Sequence, residues 1–123
     1  LGNPLGECEA AACGALCEAR LGQPDAAGAT VQGLLVRLAS ELAERPAHET
    51  ISLRWACQQV LDALGDASAA PMLAQLFADV HARAAELAEA ADPADHDRLI
   101  QALPVFRAVV AAYGRSGGAE SAG

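Results

Sequence analysis

The side chains able to do chemistry are few, and the cysteines come first. They are Cys8, Cys13, Cys17 and Cys57. A structural zinc site needs four converging ligands, usually supplied as Cys-x-x-Cys pairs. Here the first three are spaced by five and four residues. On one helix that spacing puts Cys13 and Cys17 on a common face and Cys8 well around the cylinder. The expectation is packing as small apolar residues in a reducing cytosol, with a metal or redox switch as the minor alternative. The histidines His48, His81 and His96 are far apart. His96 lies between Asp95 and Asp97, but neighbouring residues on a helix point about 100° apart and chelate one ion poorly. With Asp92, these acids are better read as helix-start residues favoured by the dipole. Glu41, Glu44, Glu86 and Glu89 read as solvated faces. No Ser/His/Asp arrangement follows from the spacing. The chain has no lysine, which excludes a Walker-type phosphate loop. The expectation is no catalytic, cofactor-binding or metal residue, and no enzyme.

Composition says what must carry these groups. Among 123 residues there are 31 alanines and 16 leucines, with 3% aromatics. Alanine and leucine favour helices, and an all-β domain would need more β-branched and aromatic residues. The expected fold is all-α. Sixteen acidic against eight basic groups give a net charge of −8. With its arginines scattered, the chain lacks the basic patch that direct nucleic-acid binding needs, and an anionic membrane is disfavoured alike. No run reaches the roughly 18 apolar residues of a membrane span, and no secretory signal is seen. A cytoplasmic setting is expected. The chain starts at Leu1 and its one methionine is Met72, so the expectation is a piece of a longer protein.

Periodicity predicts five helices. The first runs from about Gly6 to Arg20 with Cys8, Ala12, Cys13, Leu16 and Cys17 on its stripe. The second spans Ala26 to Glu44, with Val31, Leu34, Leu35, Leu38 and Leu42. The third, from Glu49 or Thr50 to Leu64, carries Leu53, Cys57, Val60, Leu61 and Leu64 on one face. Ile51 and Trp55 point elsewhere, as in a helix sandwiched between neighbours. The fourth, Ser68 to Ala91, buries Leu73, Leu76, Phe77, Val80, Ala84 and Leu87, and tolerates Pro71 only in its first turn. The fifth opens on Asp92 as cap and Pro93 at the first position. It bends or breaks at Pro104 and ends at Gly114. This gives one domain over 1–114: a hairpin 6–45, a hairpin 49–91 and a capping helix 93–113, then a flexible tail 115–123.

The two hairpin turns are alike. Leu21-Gly22 and Leu64-Gly65 align at a shift of 43 residues, as do Ala26-Ala27 and Ala69-Ala70. A helix, a Leu-Gly turn, two alanines and a second helix form a unit that occurs twice, the mark of a helical solenoid. Leu61, Leu64-Gly65-Asp66, Ala69, Ala70 and Phe77, with Trp55 where an aromatic is common, resemble tetratricopeptide-type repeats. The resemblance implies a superhelix of antiparallel hairpins.

A second resemblance covers about Arg54 to Gly114. Arg54-Trp55-Ala56-Cys57, Val60 to Asp66, Ala78 to Ala84 and Leu99 to Arg107 are similar to the last repeats of large bacterial signalling ATPases and transcriptional regulators. Leu99-Ile100, Leu103-Pro104 and Arg107 stand where those chains carry a Phe-Leu-x-x-Val-Pro-x-x-Arg run. What this implies is a regulatory helical scaffold without catalytic residues of its own.

The function expected is therefore protein–protein interaction or intramolecular regulation. The partner would be another domain of the parent chain or a separate protein, with a homodimer as a further possibility. Trp55 is the candidate anchor, because tryptophan is common at interface hot spots. Arg54, Gln58 and Asp62 would form its polar rim. The alternative is a small-molecule-sensing domain whose interhelical pocket is lined by Cys13, Cys17, Cys57 and Trp55.

Overall fold

The structure is a computed structural model. It describes residues 4–88 and 93–122, with side chains described over 4–87 and 98–115. Six α-helices are seen among the described residues: α1 (Pro4–Arg20), α2 (Pro24–Ala39), α3 (Ile51–Ala63), α4 (Ala69–Ala88), α5 (Pro93–Ala102) and α6 (Pro104–Ala122). A short 3-10 turn, Ala47–Thr50, leads into α3. The described residues include no strand. The chain divides into two compact units, Leu1–Ala69 and Ala70–Gly123.

In the first unit α1 packs against both α2 and α3, and α2 touches α3. Its core is assembled from Cys8, Ala12 and Ala15 of α1, Ala27, Val31 and Leu34 of α2, and Ile51, Leu53, Cys57, Val60 and Leu61 of α3, with Leu42 from the intervening loop. Alanine and cysteine supply the whole contribution of α1, so its backbone can lie close to its neighbours. The inward face of α1 differs from the stripe its periodicity predicts. Cys13 and Cys17 are exposed, and Ala15 takes the inward position. Residues 8, 12 and 15 are spaced four and three apart, a helical face turned away from 13 and 17.

Proline and charge set the helix starts. Pro24 sits at the very start of α2, where the missing N–H is no loss. Glu7 and Asp25 sit in the first turns, Arg20 and Arg37 in the last, as the macrodipole favours. The end of α2 comes at Ala39, earlier than the periodicity predicts. There the Ser40 hydroxyl donates to the Val36 carbonyl at 2.8 Å. The Leu42 N–H reaches back five residues to Arg37 at 3.0 Å. This wider turn carries Leu42 into the core although the helix has stopped; its exposure is only 2%.

Both Leu-Gly turns end a helix in the same way. Gly22 and Gly65 have φ of 78° and 71°. At the first, Gly22 N–H bonds Ala19 at 3.3 Å and Gln23 N–H bonds Glu18 at 2.8 Å. At the second, Gly65 N–H bonds Asp62 at 3.0 Å and Asp66 N–H bonds Leu61 at 2.9 Å. Each is a Schellman cap, with the paired return bonds that satisfy the last carbonyls. The restarts differ. Pro24 begins α2 two residues after its glycine, whereas Asp66 holds an extra turn before Ala69. The Asp66 carboxylate accepts from the Ser68 amide at 2.8 Å and hydroxyl at 2.7 Å. As a result the aligned alanines do not match in burial. Ala27 and Ala69 are buried, while Ala26 and Ala70 are exposed.

In the second unit α4 buries Leu73, Leu76, Val80 and Ala84. Pro71 is its third residue, inside the first turn as its chemistry requires. Leu87, expected on the buried stripe, is 44% exposed. Phe77 of α4 stacks on Tyr113 of α6, with ring centroids 4.1 Å apart and planes at 20°. It also meets His81 at 4.4 Å. Helices α5 and α6 pack together, with Ile100 and Val109 buried. Pro104 splits the expected capping helix into two: α5 closes at Ala102 and α6 opens on the proline. Helix α6 then continues through Gly114 to Ala122, beyond the end and into the tail that the sequence suggests. Gly114 has no positive φ, so it does not supply the left-handed cap that stops α1 and α3. Asp92 lies outside the described residues, and the side chains of Asp95, His96 and Asp97 lie outside those described.

Candidate partner-binding surface

The four residues read as an interaction surface all lie on α3, at positions 54, 55, 58 and 62. The helix treats them differently. Arg54 is half-buried and turned back on the preceding 3-10 turn. Its Nε donates to Thr50 Oγ1 at 3.1 Å and its Nη2 to the Ala47 carbonyl at 2.9 Å. Thr50 Oγ1 donates in turn to Ala47 O at 3.2 Å. Arg45 and Glu49 pair at 3.1 Å across the same turn. Arg54 therefore holds the entry to its own helix.

Trp55 is half-buried, which leaves part of the indole accessible. Gln58 is not a rim residue. It is only 5% exposed, and its Nε2 points to the Ala69 carbonyl at 3.4 Å. A buried amide must find a partner, and the one it has is backbone at the start of α4. Asp62 is exposed, and its carbonyl is one of the two acceptors of the Gly65 cap. Of the four, Asp62 presents surface, Arg54 and Trp55 do so in part, and Gln58 works inside the fold.

The cysteines separate into two pairs. Cys8 and Cys57 are fully buried, and Cys13 and Cys17 are exposed; all four are free thiols. Burial, and then the nearby Cys8, push the Cys57 thiol up to about 11. Cys13, Cys17 and Cys57 thus do not line a common interhelical pocket with Trp55. Among the described residues, no three His, Cys, Asp or Glu side chains are grouped to hold a metal ion.

Other polar groupings lie away from the candidate surface on α3. Arg37 grips Glu41 with two hydrogen bonds, Nε to Oε1 at 3.2 Å and Nη2 to Oε2 at 2.9 Å, and its Nη2 lies 3.7 Å from Glu7. The hydrogen bonds from Arg37 hold the Glu41 carboxyl below its ordinary range. The Ser68 hydroxyl and amide do the same for Asp66. Both acids are surface groups that secure helix ends. The Arg37–Glu41 pair was open to discovery from its four-residue spacing. The Phe77–Tyr113 stack was not, because it joins residues 36 positions apart.

Comparison with protein-family models, with curated proteins and with solved structures gives no match. No described helix is long and apolar enough to cross a membrane.

Proposed function

We propose that this chain is a noncatalytic helical interaction module of the tetratricopeptide-like kind. In this reading it serves as a regulatory scaffold within a multidomain bacterial regulator. The observation that supports it most is the recurrence of one device. The sequence repeat at a shift of 43 coincides with two Schellman caps of the same hydrogen-bond pattern, at Gly22 and at Gly65. Repeated helix ends of this kind build arrays whose exposed helix faces receive a peptide, a helix or a neighbouring domain. The partner is a protein: another domain of the parent chain, or a separate chain. The half-buried Trp55 is the anchor, with Arg54 and Asp62 beside it. With Gln58 turned inward, the polar rim is narrower than the sequence pattern implied.

The test is capture of the remaining parent domains by this chain, with Trp55→Ala and Asp62→Ala alongside. The expected result is capture that Trp55→Ala weakens at least about tenfold, a loss of about 1.4 kcal/mol. Equal capture by the Trp55→Ala protein, with its helicity retained, would remove this face from the proposal. No capture of any parent domain would remove regulation in cis.

A further inference from the structure

The exposed thiols of Cys13 and Cys17 lie one turn apart on α1, at the i and i+4 positions of an unbroken helix. At that spacing Cβ atoms stand about 5–6 Å apart. A disulfide needs Cβ atoms about 3.5–4.5 Å apart, so these two cysteines cannot join directly without distorting the helix. An atom placed between them closes the gap. With bonds to sulfur of about 2.3 Å, as at zinc, two sulfurs on one pyramidal centre sit roughly 3.5 Å apart. The register suits a bridging soft centre better than a bond between the sulfurs.

The surroundings leave room for such a centre. Ala10 and Gly14, the small residues flanking the pair on the same side of α1, are both exposed. A Cβ added at Gly14 would meet nothing within 4 Å. One turn further on, Leu21 is 75% exposed and offers an apolar contact. The other two cysteines, Cys8 and Cys57, are buried and face the core. The helix has thus sorted four thiols into a sealed pair and an open pair.

We infer that Cys13 and Cys17 form a dithiol site for trivalent arsenic carrying one organic group, an electrophile with two valences free for sulfur. The reaction is a condensation without redox change. Two As–S bonds form and the arsenic–oxygen bond of an arsenoxide breaks. Both thiol protons leave with that oxygen as one water molecule. The arsenic keeps its organic group, which lies over Ala10 and Gly14. Holding two thiols on one helix makes the second As–S bond intramolecular, which strengthens capture by about 10²–10⁴-fold over a single thiol.

Phenylarsine oxide is the probe, added to the full 123-residue chain. Intact mass and fluorescence competition report its binding. The expected outcome is one equivalent bound, resistant to excess monothiol and released by a small dithiol. Cys13→Ser and Cys17→Ser should each weaken capture at least 100-fold, while Cys8→Ser with Cys57→Ser should leave it unchanged. Alkylation gives a second readout on the unaltered chain. Iodoacetamide should label Cys13 and Cys17 first, and the bound arsenical should protect these two alone. Tight binding that survives Cys13→Ser or Cys17→Ser, protection that maps to Cys8 or Cys57, or capture no stronger than by one thiol would overturn the assignment.

Discussion

Cys57 and Gln58 are adjacent on α3, both buried, and they illustrate two ways a polar atom survives inside. The amide of Gln58 has the Ala69 carbonyl as acceptor. The thiol of Cys57 stays neutral. Its ionisation is pushed from 9.0 to about 11, first by burial and then by Cys8. That raised value has a consequence for stability. The unfolded chain loses this proton near pH 9, and the folded chain retains it until about pH 11. Stability is therefore fully present below pH 9 and falls as pH rises through this window. The loss is on the order of 2 to 3 kcal/mol. Urea titrations at pH 8 and pH 10.5 should show a smaller decline for Cys57→Ala than for the parent sequence. Equal declines would mean that Cys57 ionises alike in both states. From sequence, a glutamine three residues from a tryptophan reads as rim, yet Gln58 is buried. Only the rotation of α3 in its surroundings turns that position inward.

Among the helices, α1 carries the weakest orienting signal in its sequence. Nine of its twelve residues 8–19 are alanine, cysteine or glycine, so no direction around it is clearly more apolar than another. Leucine-bearing α2 and α4 gave truer stripes, with Val31, Leu34, Leu73, Leu76, Val80 and Ala84 buried as their spacing suggests. The helix ends divide similarly. Leu-Gly announced the ends of α1 and α3, because glycine can take the positive φ that the cap requires. Gly114 carried the same signal and α6 runs through it. Glycine permits a stop without demanding one. Substitutions should separate these roles. At Gly22 and at Gly65 an added Cβ meets nothing within 4 Å, so the cost of alanine is backbone strain alone. Gly22→Ala and Gly65→Ala should each lose about 1–2 kcal/mol in denaturant unfolding. Gly33, exposed inside α2 with open space around it, should respond in the opposite sense. Gly33→Ala should gain about 0.5–1 kcal/mol. Destabilisation at Gly33, or none at Gly22, would contradict the assigned backbone geometry.

For the molecule as a whole, the division into Leu1–Ala69 and Ala70–Gly123 cuts across the hairpin 49–91 that the repeat suggests. The first unit has its own mutual packing, in which α1 touches both α2 and α3. It also keeps the Gln58 acceptor, since Ala69 is its last residue. A chain of residues 1–69 should accordingly be helical by far-ultraviolet circular dichroism and should melt cooperatively. A featureless, non-cooperative melt would show that this core needs the rest of the sequence.

The sequence by itself determined the helical class, the two Leu-Gly stops and the break at Pro104, and most of the stripes of the leucine-rich helices. Those are local properties: propensity, a permitted φ, a missing N–H and a period of 3.6 residues. Tertiary structure decided which side of alanine-rich α1 faces inward, that Leu42 is buried beyond the end of its helix, and that Phe77 meets Tyr113. It also decided that four similar cysteines become two sealed and two open thiols. Each of these depends on the rotation or approach of one helix against another. Small side chains encode that weakly, because alanine and cysteine gain nearly as much on one face as on the next.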